Sequence, residues 1–411
     1  MRGESKAVMH REVLVTGSPH FTLITAITVL LFSGSAWAQH DQHPPAPEEG
    51  WAWAFESSAF LTGNVQDRKF RDFRQVESQN WLMAMGARTL AAGSFSLHGM
   101  LSFEPFTLRD LGSSQVFQTG ETFGGAPLID YQHPHDLIMG LSAAYEHPLR
   151  TTTLILRGGL VDEPALGPTA FMHRATAMLH PTAPLAHHEL DSTHITHGVI
   201  TAGVRHGAWL IETSAFRGRE PDEDRTDLDL GALDSYAFRV SWIGGDSRAQ
   251  LSAGRLEEPH VTEPGDVTRI TASVEHSAEI GGRAVGLTLA WGQNREAFAV
   301  ENGWLTEATL ELWRRGIGYL RGEIADKHIL GAGGAHPPGQ QHPHLISRVG
   351  ALTVGYQHQL WRDPTHAVSV GADVTGYRVP AELDEAYGRP ISFHVYTRWH
   401  VARRVPRTAR D

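Results

Sequence analysis

The chain of 411 residues has no cysteine, 25 histidines, 42 glycines and a formal net charge of −11. The lack of Cys excludes a disulfide framework, a Cys-ligated metal or iron–sulfur site and a thiol nucleophile. The acidic balance excludes a protein whose main partner is nucleic acid. With 41% hydrophobic and 20% charged residues the chain reads as folded, and its histidine content asks for an explanation.

The first 38 residues read as an export signal. Arg2, Lys6 and Arg11 make a basic start, Phe21 to Phe32 is an apolar run, and Ala36-Trp37-Ala38 is a small-x-small cleavage site. Twelve apolar residues are too short to span a bilayer, and no later stretch reaches 18. Residues 39–50, with His40 to Gly50 (HDQHPPAPEEG), form a polar, Pro-rich leader expected in the periplasm.

From Trp51 onward, apolar and polar side chains alternate at period 2. In Gly93–Glu104, Phe95, Leu97, Leu101 and Phe103 fall on one side, and Ser96, His98, Ser102 and Glu104 on the other. Such alternation marks a strand with one apolar and one polar face. Sixteen segments follow this rule, near 51–64, 78–90, 93–104, 136–147, 152–162, 194–205, 208–217, 234–243, 248–257, 266–278, 283–294, 304–313, 316–327, 346–360, 366–378 and 390–402. Short turns alternate with long loops at 65–77, 105–135, 163–193, 218–233, 258–265, 295–303, 328–345 and 379–389. A soluble two-sided sandwich also alternates, but does not predict that long–short rhythm.

This is the pattern of an all-β, single transmembrane, antiparallel up-and-down β-barrel of about 16 strands over residues 51–402, with short periplasmic turns and long extracellular loops. Lipid offers backbone groups no hydrogen-bond partner, so only a closed sheet satisfies every strand. Aromatics near segment ends (Trp51, Trp81, Phe103, Tyr145, Trp209, Trp242, Trp304, Trp313, Tyr356, Trp361 and Trp399) supply candidate interfacial girdles. In strand count, loop alternation and export signal the whole mature chain resembles a bacterial outer-membrane porin-type barrel. It departs from that pattern at the C-terminus, where a basic tail (403–411) follows a last strand containing Phe393 and Trp399. The resemblance implies an outer-membrane location, contact with lipid, passage of a small solute or ion, and a long early loop that folds inward. Residues 105–135 and 163–193 are thus candidates for a constriction or plug, and assembly of several copies stays open.

Most histidines of the mature chain map to the long loops. A QHPH element occurs twice, at Gln132–His135 and Gln341–His344. The proline holds the backbone extended, so His133 and His135, or His342 and His344, point the same way. With Asp136 adjacent, two such imidazoles form a half-site for a borderline divalent metal. His173, His180, His187, His188, His194 and His197 extend the candidate set, and Met172 and Met178 in the same loop favour copper. No cofactor beyond copper or zinc ions is expected. The competing reading of each histidine is a neutral polar residue that folds a loop over the barrel mouth. Arg88, Glu104, Arg157, Arg239, Arg269, Glu275, Glu307, Glu311, Arg321, Glu323, Arg348 and Asp373 fall on the lumen side; they set channel selectivity or form salt bridges along the wall.

The expected function is a porin-like channel with His-rich loops and no enzymatic activity. Two alternatives are a non-conducting structural or adhesion barrel, and a lipid hydrolase built on Ser192 and His194 or on Ser142 and His147. No nucleophile elbow, P-loop or dinucleotide fingerprint supports the hydrolase.

Overall fold

The computed structural model describes residues 44–47, 49–69, 71–109, 111–261, 265–297, 299–330 and 346–405. The expected export signal and the His342/His344 element lie outside them.

β1 (Ala52–Arg68) turns back into β2 (Arg71–Glu77), and β3 (Asn80–Leu90) continues β2 after a break at Ser78 and Gln79. β2 and β3 therefore make one stave against β1. β4 (Gly93–Leu101) follows, then a separate hairpin of β5 (Ser113–Phe123) and β6 (Ala126–Gln132). The wall resumes with β7 (Ile138–Leu149), β8 (Thr152–Asp162), β9 (Thr196–His206), β10 (Trp209–Phe216), β11 (Ser235–Gly244), β12 (Ser247–Leu256) and β13 (Val267–Ile280). It ends with β14 (Arg283–Arg295), β15 (Val300–Trp313), β16 (Gly316–Lys327), β17 (Ser347–Arg362), β18 (His366–Arg378) and β19 (Ile391–Val405). Each stave pairs antiparallel with its sequence neighbour, and β19 pairs with β1 from Val405↔Trp53 to Ile391↔Asp67. The result is a closed sixteen-strand antiparallel barrel.

The barrel is apolar outside and polar inside. Consecutive residues of β1 show the switch: Leu61 is 58% exposed and Thr62 is 0% exposed. Leu156 and Val395 likewise project outward, while Arg269, Glu307 and Ser392 are buried inside. This inversion suits a sheet solvated by lipid. Trp209, Trp313, Trp361 and Trp399 are about half exposed near the short-turn end, where indole rings match an interface. Gly281 and Gly282, both at positive φ (60° and 74°), join β13 to β14 in the backbone geometry tight hairpins favour.

Two expectations are corrected. Residues 65–77 are not a long loop but the continued β1–β2 ladder. Their polarity is that of lumen-facing side chains which satisfy one another: Asn64 Nδ2 donates to Glu77 Oε1 (2.9 Å), and Gln66 Nε2 to Asn64 Oδ1 (2.8 Å). Trp81 is no girdle residue; it is buried, facing inward, with its ring 4.9 Å from that of His173.

The segment joining β8 to β9, residues 163–195, folds into the barrel and crosses it, hydrogen-bonding to wall strands along its length. The Ala165 and Gly167 amides donate to Ser214 and Ser252 Oγ (2.7 and 2.9 Å). The Leu185 amide donates to Glu323 Oε1 (2.6 Å), Arg269 to Ser192 Oγ (2.9 Å) and Asn294 to the His188 carbonyl (3.1 Å). At the centre, Glu307 of β15 lies between Arg174 of the plug (2.8 Å) and Arg321 of β16 (2.9 Å), with all three side chains buried. Gly292 and Gly303 face each other across β14 and β15. A Cβ on Gly292 would lie 2.0 Å from the Glu189 carbonyl, and one on Gly303 2.6 Å from Ala186. The paired glycines are thus a flat seat for the one-turn helix His187–Leu190.

Removing one partner from a buried ion cluster costs roughly 3–5 kcal/mol, because the remaining charges are left uncompensated. Glu307→Gln is expected to unseat the plug while the barrel stays closed. Trypsin then cuts after Arg174 in the variant and not in the parent, as read by mass spectrometry of the folded protein.

Candidate functional site

The plug and the β5–β6 hairpin meet in the lumen and bring together five of the histidines expected to bind metal. Their rings form a closed circuit: His133–His135 (6.4 Å between ring centres), His135–His194 (5.4 Å), His194–His187 (5.2 Å), His187–His188 (5.3 Å) and His188–His133 (6.1 Å). Phe171 packs against His135, His187 and His194. The hairpin closes on this circuit at Gly120, where a Cβ would fall 2.1 Å from His188 Nε2.

The outer shell fixes the tautomers. His135 Nδ1 donates to Glu104 Oε2 (2.8 Å), His187 Nδ1 to Asp191 Oδ1 (2.8 Å) and His194 Nδ1 to the Asp191 carbonyl (2.8 Å). The Nε2 atoms of His135, His188 and His194 are buried without a hydrogen-bond partner. An imidazole whose Nδ1–H is held by a carboxylate or carbonyl while Nε2 stays open is oriented as metal-binding histidines are. His133 differs, with Nδ1 on the Pro134 carbonyl (3.0 Å) and Nε2 on Glu121 (2.9 Å). Glu121 in turn pairs with Arg225, which reaches Asp136 Oδ1 at 3.3 Å.

Burial dominates the protonation equilibria. It lowers the pKa of His188 and, against the pull of Asp191, that of His187. It takes His194 well below 6.5, helped by repulsion from His187 and His135. Burial opposes the charge on His135 too, but the Glu104 carboxylate outweighs it and raises the pKa. Burial pushes Asp136 up to about 6 despite Arg225.

Cavities flank the plug on both sides. The outer one, about 430 Å³, reaches His188 and is lined by Glu121, Glu220, Asp222, Glu223, Asp224 and Glu301 against Arg225 and Lys327. An inner one of about 670 Å³ reaches His194 and His173. The imidazole circuit therefore touches open space on either side.

No protein-family model and no curated protein matches the sequence. Solved structures do match. An anion-selective porin from Comamonas acidovorans aligns with a TM-score of 0.52 at 10% identity, over 86% of this chain and all of its own. OmpF of Salmonella typhi, in complex with daunomycin, gives 0.52 at 7% over 85% and 97%; OprB of Pseudomonas putida gives 0.51 at 9% over 86% and 94%. The fold is that of the bacterial outer-membrane porins. At this identity the likeness is one of architecture.

The remaining candidate residues are dispersed in this porin-type barrel. His197 Nε2 faces Asp136 at 3.5 Å and its Nδ1 accepts from the Asp229 amide at 2.8 Å. His173 packs on Trp81, and His180 lies apart, its ring 4.5 Å from that of Tyr319. With residues 163–195 and the chain after the β5–β6 hairpin folded inward, the five rings of the circuit lie within the lumen. Neither candidate serine–histidine pair is made: Ser192 Oγ takes its hydrogen bond from Arg269, while Ser142 and His147 sit on opposite faces of β7. Sequence reasoning missed Glu121, Glu220 and Arg225 at the site. Their position depends on two loops meeting, which leaves no periodic trace.

The depressed histidines make the plug acid-sensitive. A group whose folded pKa lies below its unfolded value binds fewer protons when folded, so its stabilisation is complete above 6.5 and fades as pH falls below it. His180, His187, His188 and His194 act in this sense, and His135 alone among them opposes it. Hydrogen exchange of amides 163–195, corrected for intrinsic rates, is expected to quicken between pH 7.5 and 5.5, with the barrel strands unchanged.

Proposed function

We propose that the protein is an outer-membrane channel whose solute is a transition-metal ion, copper or zinc, received by the imidazoles of the plug. The observation that carries this reading is the circuit of buried rings that joins the outer cavity at His188 to the inner one at His194. Two imidazoles on one tetrahedral ion, with metal–nitrogen bonds of about 2.0–2.1 Å, hold their ring centres about 5 Å apart. The His135–His194 and His187–His194 separations match that spacing. Among the described residues no three histidine ligand atoms converge within 4.8 Å of one another, so an ion draws the rings inward by side-chain rotation.

The acidic outer vestibule supports a cation as the solute, since carboxylates in a low-dielectric cleft raise the local concentration of positive ions. His135, His187 and His194 are the first ligands of choice, with Glu104 and Asp191 behind them. The apolar outer belt contacts outer-membrane lipid. The firm seating of the plug favours the second reading, a barrel without free passage.

Calorimetry on the detergent-solubilised full-length protein tests the metal reading. Zn²⁺ and Cu²⁺ are expected to bind at a defined site that His135→Ala with His194→Ala abolishes, and Glu104→Gln is expected to weaken it 10–100-fold as outer-shell losses do. Unchanged binding in the double variant overturns the assignment. Planar-bilayer recordings decide between the readings: a small open current that grows when the plug is released supports a channel, and silence in both states supports a structural barrel.

A further inference from the structure

Six of the eight methionines lie among the described residues, and all six line cavities inside the barrel. The other two, Met1 and Met9, fall in the export signal. None of the large exposed hydrophobic residues on the outer face is Met; they are Leu, Val, Ile, Phe, Trp and Tyr. The methionines are thus confined to the lumen side, where Ser, Thr, Gln and charged residues alternate with inward-facing apolar side chains such as Trp81.

Five of the six gather at one place. Met83 of β3 pairs directly with Met100 of β4, and Met85 with His98. Met100 pairs with Gly140, next to Met139 on β7. The missing side chain at Gly140 admits the His98 ring, since a Cβ there would lie 2.5 Å from His98 Cε1 and 3.2 Å from Met100 Cβ. Directly paired side chains across a sheet stand ~4.5–5.5 Å apart at Cβ, within reach of unbranched thioethers. The plug adds Met172 from inside, and all five share one buried cluster. They line the inner cavity of about 670 Å³ into which His194 also projects.

We propose that this face of the lumen wall is a second metal site, a thioether site for a soft monovalent d¹⁰ cation of the Cu⁺ class. Thioethers prefer such ions, whereas imidazole and carboxylate suit borderline divalent ones. Met83, Met85, Met100, Met139 and Met172 are its ligand set, with His98 at its edge. Its use in transport rests on reading the barrel as a metal channel; its ligand chemistry does not.

The test uses Ag⁺, a redox-stable ion of the same class, on the full-length barrel in detergent, with Zn²⁺ as a separate probe of the imidazoles. The variant Met83→Leu/Met100→Leu/Met139→Leu conserves volume, a change cores tolerate. Heat-modified gel mobility and unchanged Zn²⁺ binding verify that it folds. It is expected to bind Ag⁺ at least 100-fold more weakly, while His135→Ala/His194→Ala keeps the Ag⁺ site. Equal Ag⁺ affinity in the leucine variant and the parent overturns the proposal and leaves the methionines as packing. If the leucine variant fails to fold, copper K-edge absorption of the Cu⁺-loaded parent decides: sulfur neighbours support the site, and nitrogen and oxygen neighbours alone overturn it. A parent that binds Ag⁺ but takes up no Zn²⁺ removes the imidazole reading and not this one.

Discussion

Glu307 has no exposed surface and carries two arginines, one from the wall and one from the chain that crosses the lumen. Much of the interior depends on that contact. A barrel in lipid must turn its polar side chains inward, and a wall so rich in charge needs opposite charge or water to face. Here the chain between β8 and β9 supplies the matching groups. Its backbone amides meet Ser214, Ser252 and Glu323, its carbonyls meet Asn294 and Arg321, and Arg174 meets Glu307. The polar wall that membrane insertion requires is the same wall that holds the plug.

The plug then determines what the histidines are. On an exposed loop each would be a solvated, independently titrating side chain. Packed between the wall and the hairpin, His187, His188 and His194 lose water and resist protonation, while Nδ1 of His135 is committed to Glu104 and Nδ1 of His187 and His194 to Asp191. Open Nε2 atoms and neutral rings follow from burial, not from any special spacing along the chain. Carboxylates line both cavities, whereas the cluster of five methionines lines the inner one.

The barrel was legible in the sequence because lipid outside and water inside impose a period of two on every stave, and that period is local. Leu61 and Thr62 announce their faces without reference to any distant residue. The β1–β2 ladder was hidden because Gln66 and Gln75 are polar on a lumen face and look like loop. Trp81 was misplaced because an aromatic near a strand end is compatible with a girdle until its face is counted. The association of His133 and His135 with His187, His188 and His194 was only partly legible. The residue types and their loops were visible, but the inward fold rests on pairs such as Arg174 with Glu307, 133 positions apart. The strand methionines did carry a signal: Met83 and Met85 share a parity, and Met100 shares the parity of His98 on the polar side of its strand.

The seat formed by Gly292 and Gly303 has a bearing on how the molecule is built. The helix His187–Leu190 lies far upstream of β14 (from Arg283) and β15 that receive it, and its seat exists only when β14 and β15 are paired in register. The imidazole circuit, built from residues of the first half of the chain, therefore rests on register in the second half, and a slip between β14 and β15 would remove the seat without touching any histidine.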